Sequence, residues 1–194
     1  DFVATSRPYL RRLTRETGET ANLGVREGTT AVFLAQSESP QMMRMITRLG
    51  SRAPLHASGV GKALMAWLPD DDLERVLAER GLDRVTVNTL SSPSELRRAM
   101  AEIRERGYAC DREEHAIGLH CVAACIHDEL GTPLATIKLA SSELADPMRR
   151  LGSEMLVMPR KTCVSSAWPS LEAHPPQEDN SVRRLMSSRL MGGE

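Results

Sequence analysis

The stretch Pro54 to Met65, PLHASGVGKALM, sets glycines at 59 and 61 around one small residue, follows them with Lys62, and then opens an apolar helical pattern. Three kinds of chemistry use such a layout. A phosphate-cradling nucleotide loop needs G-x-x-x-x-G-K-[ST]. Taking Gly61-Lys62 as its GK pair puts His56 where the first glycine belongs and Ala63 where a hydroxyl would hold magnesium, and Pro54 interrupts the strand that should come before. A nucleophile elbow, G-x-S-x-G, fails at His56 and Val60. A catalytic S-x-x-K pair fails because Ser58 and Lys62 are four apart, although that spacing allows contact on a helix. What survives is a helix start where small residues let a ligand reach free N–H groups, which attract carboxylate or phosphate. The same glycines equally allow tight helix packing with no ligand at all.

A second group of reactive residues lies further on. Cys121, Cys125 and His127 share strand parity, so they can line one face of a sheet, with Asp111 as a fourth ligand for zinc. Alternating Cys and His on a strand are also ordinary core thiols and a strand-end imidazole. Cys121 with His56 or His115 would make a thiol nucleophile, but no base with an orienting partner is evident. His56 is expected to fix its loop by hydrogen bonding and His115 a turn. Glu113 and Glu114 are expected to meet arginines or solvent. No metal, cofactor or catalytic residue is therefore expected.

The bulk composition narrows the partners. A chain of 194 residues fits one globular domain with tails, or two small ones. Its net charge of −1 leaves no basic field to hold nucleic acid by counterion release. Aromatics are 3% of residues, so the core must rely on Leu, Val, Ile, Ala and ten Met. No run approaches the length of a membrane span and no secretory leader is expected. The first residue is Asp1 rather than Met, which fits a piece of something longer. Four cysteines, at 110, 121, 125 and 163, form no C-x-x-C pair and are expected to be free thiols in a cytoplasmic protein.

The elements that must position these residues follow from periodicity and end signals. Residues 2–17 suit a short polar helix ending near Gly18. The run TANLGVREGTTAVFLAQSE reads as a hairpin turning at Glu27-Gly28, and MMRMITRLG, between Pro40 and Gly50, as a third strand. Three helices come next. One runs from Ser58 to about Trp67. One follows LPDDD, with Leu73, Val76 and Leu77 on one face. The third has Ser92 as cap, Pro93 in the first turn, Glu95 completing a capping box, a Leu96/Met100/Ile103 stripe and Gly107 at its end. Residues 108–140 return to strands, with ELGT as a turn and PLATIKLA alternating Leu134, Thr136, Lys138 and Ala140 against Ala135, Ile137 and Leu139. A last helix is expected from Asp146 to about Met158, where Pro159 stops it. Strands flanking a helical block make an α+β domain with a central antiparallel sheet.

The segments MRMITRLGSRAPLHASGVGKALMAWLPDDDL and GYACDREEHAIGLHCVAACIHDELG, with the capped helix between them, resemble the effector-binding domain of IclR-type bacterial transcription regulators over roughly residues 2–158. The likeness is nearest the glyoxylate bypass repressor branch. It implies a GAF-like domain over 18–165, the end of a linker helix over 1–17, a C-terminal tail over 166–194, and a winged helix-turn-helix that this chain lacks. It implies a homodimer or homotetramer that meets DNA only through that missing domain. It also implies a pocket for a small carboxylate effector, matching Met42, Met45, Ala53, Gly59, Val60, Asp111, Leu119, Cys121, Lys138 and Ala140. In that pocket the Gly59 and Val60 N–H groups would hold a carboxylate oxygen, Met42, Met45 and Leu119 would form a flexible apolar wall, Asp111 would accept a hydrogen bond and Cys121 would be a weak donor. Lys138 and Ala140 stand where relatives carry hydroxyls. Lys138 would face the pocket and favour a dianion, pair with Asp111, or snorkel to solvent. Ala53 replaces a larger apolar residue, so a ligand larger than a two-carbon acid is expected. A thiol or metal enzyme on the same fold and a pure dimerisation module are the rival readings.

Overall fold

The computed structural model describes residues 2–141 apart from Met43 and Glu129. The helix expected over 146–158, the tail and Cys163 lie outside the described residues. Helix α1 (Phe2–Thr17) leads into the hairpin β1 (Thr20–Glu27) and β2 (Thr30–Ser37), then β3 (Arg52–Pro54). Helices α2 (Gly59–Met65), α3 (Asp70–Arg80) and α4 (Pro93–Arg106) follow, and β4 (Ala109–Arg112), β5 (His120–His127) and β6 (Pro133–Ser141) close the described chain. The strands form one antiparallel sheet in the order β3-β2-β1-β6-β5-β4. None of the described helices is long and apolar enough to cross a membrane.

Strand alternation divides the sheet into two apolar faces, with a bulge in β2 opposite Leu23/Gly24 that puts Phe33 and Ala35 on different faces despite their equal parity. Leu23, Ala35, Val122, Ile126, Ala135, Ile137 and Leu139 cluster with Leu10 and Leu13 of α1. The opposite face sends Ala31, Phe33, Ala53 and Ala123 to a cluster with Val60, Leu64 and Met65 of α2 and Leu96, Met100 and Ile103 of α4. The alternation expected in PLATIKLA is therefore real: its odd members meet α1, while Lys138 and Ala140 look the other way.

The capped helix formed as its end signals require. Ser92 Oγ accepts from the Glu95 N–H at 3.3 Å, Glu95 Oε2 accepts from the Ser92 N–H at 3.2 Å, and Gly107 closes α4 at φ +86°. The expected strand over 42–50 did not. Among its described residues there is no strand, and β3 forms a few residues later. Gly50, at φ +79°, and a turn closed by the Ser51 N–H to the Arg48 carbonyl take the chain out of the ladder. Pairing with β2 starts only at Gly50 and Ser51, which bond Phe33, and continues as Val32 opposite Arg52.

Helix α2 seats closely because glycines on the helix and on the sheet clear its contacts. A Cβ on Gly61 would stand 2.2 Å from the Leu55 carbonyl oxygen, and a Cβ on Gly24 in β1 would stand 2.7 Å from Val60 Cγ1. Gly61→Ala must displace backbone, so we expect a loss of at least about 3 kcal/mol or failure to fold. Ser92→Ala, which removes only a cap, should cost about 1 kcal/mol. Urea unfolding of the two variants checks the order; equal losses would show that the α2 contact is soft.

Candidate binding site

The faces of β2, β4, β5 and β6 that look towards α2, the start of α2 itself, the loop over 44–51 and the turn after β4 enclose a cavity of about 160 Å³. Eight of the ten residues expected in a pocket line it: Met45, Ala53, Gly59, Val60, Asp111, Leu119, Cys121 and Lys138. Ala140 is buried one layer back, packed with Leu119 and Cys121 and paired with Cys121 across β5 and β6. Met42 does not belong to the wall. It stands 96% exposed, because the chain between Pro40 and Gly50 does not run as the strand that would have aimed it inward.

Each group has a local cause. Lys138 projects from the middle of β6 and is only 5% exposed, so it does not snorkel out. Its ammonium lies 4.9 Å from the centroid of the Phe33 ring, a cation–π contact with β2. No ion pair joins it to Asp111 or to any other described carboxylate. Asp111 is held instead by the chain that follows it: its Oδ1 accepts from the N–H of Glu114 at 2.8 Å and of His115 at 3.4 Å, and Cys121 Sγ stands 3.8 Å from Oδ2. Burial pushes the Asp111 carboxyl up, against the pull of those N–H groups and of Lys62. Burial, reinforced by the Asp111 charge, pushes the Cys121 thiol up to about 12. His115 is pulled down by burial and by the Lys138 charge, so its ring is neutral near pH 7, and its Nδ1 has no hydrogen-bond partner.

The helix start is partly spoken for. Ser58 Oγ accepts from the Gly61 N–H at 3.1 Å and donates to the Pro54 carbonyl at 2.7 Å, and the Gly59 N–H lies against Cys121 Sγ. A Cβ on Gly59 would stand 2.9 Å from that sulfur. Both glycines of the opening motif therefore serve close packing, and Gly59 also leaves its backbone bare at the cavity wall. Ser58 and Lys62 do not meet. Lys62 is buried and makes an ion pair with Glu114. Glu114 is thus not the solvent-facing or arginine-bound group expected, since the turn after β4 folds it under α2. Glu113, at φ +62°, accepts from Asn88 and from the Gly118 N–H, and its carbonyl accepts from the Thr86 hydroxyl.

His56 bonds the Asp83 carbonyl at 2.9 Å, as expected for a loop fastener. Cys125 and His127 share the parity of Cys121, but His127 meets Trp67 edge-on at 4.7 Å rather than joining the thiols. Among the described residues no three His, Cys, Asp or Glu side chains gather as metal ligands, and Cys110, Cys121 and Cys125 are free thiols. Sequence reasoning missed Phe33, Ile46, Thr47, Arg48, Ser51, Arg52, Ser58 and His115 as lining residues. Only the Arg48/Ser51 turn has a local signal, Gly50. A larger cleft of about 260 Å³ lies between α3 and α4, but Arg97 there pairs with Glu74 and Arg104 donates to the Ala66 carbonyl. The smaller cavity is the better binding site because it alone offers a buried cation without a counter-ion.

Breaking the buried pair tests this electrostatic layout. Lys62→Met should destabilise by about 3–5 kcal/mol near pH 8, because Glu114 is left buried and charged. Burial already raises the Glu114 carboxyl above its ordinary value of 4.5, and Lys62 opposes that rise. Without the lysine the folded state binds the proton more tightly than the unfolded chain does. The lost stability should return as pH falls through the raised value towards 4.5. Urea unfolding at pH 8 and pH 5.5 checks this; an equal loss at both would contradict it.

The family model for the bacterial transcriptional regulator IclR C-terminal region matches residues 1–151. The HTH-type transcriptional repressor AllR of Escherichia coli strain K12 is 39% identical over 177 residues, covering 90% of this chain and 65% of that protein. The chain thus spans just under two thirds of that relative's length. The glyoxylate bypass repressor branch is not the one this relative's name carries. The crystal structure of Thermotoga maritima IclR superposes with a TM-score of 0.71 at 29% identity, covering 80% of this chain and 67% of that one. The inducer-binding domain of PobR from Acinetobacter, a double mutant solved with 3-hydroxybenzoic acid, shares the fold with a TM-score of 0.67 at 22% identity, covering 79% and 96%. The α+β, GAF-like architecture is the one these neighbours share, and the chain belongs to the IclR family of bacterial transcriptional regulators, as its C-terminal domain.

Proposed function

We propose that this domain senses a small organic acid for a transcriptional repressor. The observation that carries the reading is Lys138, a buried cation lining a cavity with no ion-pair partner among the described carboxylates. A buried unpaired ammonium is costly, and an anionic ligand relieves that cost. Met45, Phe33 and Leu119 give the acid an apolar wall, while Ser51, Thr47 and His115 supply neutral polar groups for orientation. The AllR relative is named as a repressor, and the PobR domain holds an aromatic acid on the same fold. DNA is read by a domain outside these 194 residues, and subunits associate as a homodimer or homotetramer. The acid acts by binding one subunit arrangement better than another, which shifts operator affinity.

The enzyme alternative draws no support from the site. A thiol raised to about 12 is the reverse of an activated nucleophile, and its nearest carboxylate is tied up by backbone N–H groups.

Calorimetric titration with pyruvate, succinate and 3-hydroxybenzoate should find at least one acid that binds the wild-type chain. Lys138→Met should weaken that acid roughly tenfold or more, about 1.4 kcal/mol, with no loss of stability in urea unfolding. Unaltered affinity in Lys138→Met, or no binding by any acid, would end the proposal.

A further inference from the structure

Lys138 is not the only cation at the cavity without a counter-ion. Arg48, in the turn that takes the chain out of the sheet, also lines it and forms no ion pair with any described carboxylate. The other basic groups nearby are neutralised. Arg52 pairs with Glu27 at 2.7 Å, Lys62 with Glu114, and Arg44 with Glu38 at 3.3 Å. The single carboxylate of the lining, Asp111, is occupied by two backbone N–H groups. It is one negative charge against two positive ones, so the lining keeps an excess of positive charge.

The two cations come from different walls. Lys138 rises from the sheet, and Arg48 belongs to the loop over 44–51, with the Met45 and Leu119 side chains in the same lining. Arg48 is exposed, so it stands at the mouth, while Lys138 is buried. We infer that the ligand of this site is a small dianion, one acidic group on Lys138 and the other at Arg48, with a short apolar or hydroxylated spacer between them. The inference rests on the acid-sensor reading and narrows it. The volume agrees: a cavity of about 150 Å³ holds a six-carbon ring, so one of about 160 Å³ that opens at Arg48 takes a chain of comparable size. Arg is also suited to a second carboxylate or a phosphate, because its fork accepts two oxygens at once.

Matched pairs that differ only in one charge make the test. Malonate, succinate and glutarate are titrated by calorimetry against their half-amides, malonamate, succinamate and glutaramate, with wild-type protein and with Arg48→Gln, Lys138→Met and Arg44→Gln. For the best-fitting length the diacid should bind the wild type at least about tenfold more tightly than its half-amide, and the ratio should fall to within about threefold in Arg48→Gln and Lys138→Met. Arg44→Gln, which removes one positive charge outside the lining, should keep the full ratio. Equal affinities for acid and half-amide at every length, with both binding, would overturn the dianion assignment and leave the acid sensor standing. A ratio lost equally in Arg44→Gln would assign it to the general field instead of the two named cations. No binding by any of the six compounds, with pyruvate or 3-hydroxybenzoate still binding, would overturn the dianion assignment and leave the acid sensor standing; no binding by any compound of either panel would remove both.

Discussion

Two missing side chains govern this domain. At Gly61 there is no room for even a methyl group, because the Leu55 carbonyl occupies that space, and at Gly59 the Cys121 sulfur does. This lets a seven-residue helix seat closely, with Gly61 against the Leu55 backbone, Gly59 against Cys121 of β5 and Val60 over Gly24 of β1. The cavity exists beside that contact. Asp111, Cys121 and Lys138 come from three neighbouring strands, and only a helix seated so low brings its backbone level with them.

The low seat creates an electrostatic demand that two lysines meet differently. Lys62 leaves the helix under the turn after β4, where Glu114 is folded in to receive it. That pair cancels and is structural: it joins α2 to the turn that carries His115 and Leu119 into the cavity wall. Lys138 leaves β6 on the same side of the sheet and receives only the face of Phe33. A ring face offers a fraction of what a carboxylate does. Stability alone would favour an apolar residue there, as it would for most buried charges. That unpaired charge is the feature on which the proposed acid site rests, since perturbed and unpaired groups gather at functional sites.

The turn after β4 links the site to the surface. Glu113 takes a left-handed conformation, and its carbonyl and that of Glu114 accept from Thr86 and Thr89 in the segment between α3 and α4. A ligand against His115 or Asp111 therefore touches a turn whose other side fastens an outlying loop.

Much of the framework was legible from local signals. The Ser92/Glu95 box, Gly107, the Asp70–Asp72 run and the two-residue turn at Gly28 act within a few residues of themselves, so type and spacing sufficed for α3, α4 and the hairpin. Parity along PLATIKLA likewise assigned Ile137 and Leu139 to one face and Lys138 to the other. Position 42–50 misled because its apolar residues are consistent with a strand, while the turn at Arg48–Ser51 withdraws it from the ladder; Met42 then ends in solvent. What the chain alone determined was the capped helices, the hairpin and the facing of the PLATIKLA strand, because those depend on neighbours in sequence. Which charges are paired was decided only by the tertiary structure. Lys62 meets a partner 52 positions away and Lys138 meets none among the described carboxylates, and a lysine's letter carries no information about how far its nearest carboxylate will lie once the chain has folded.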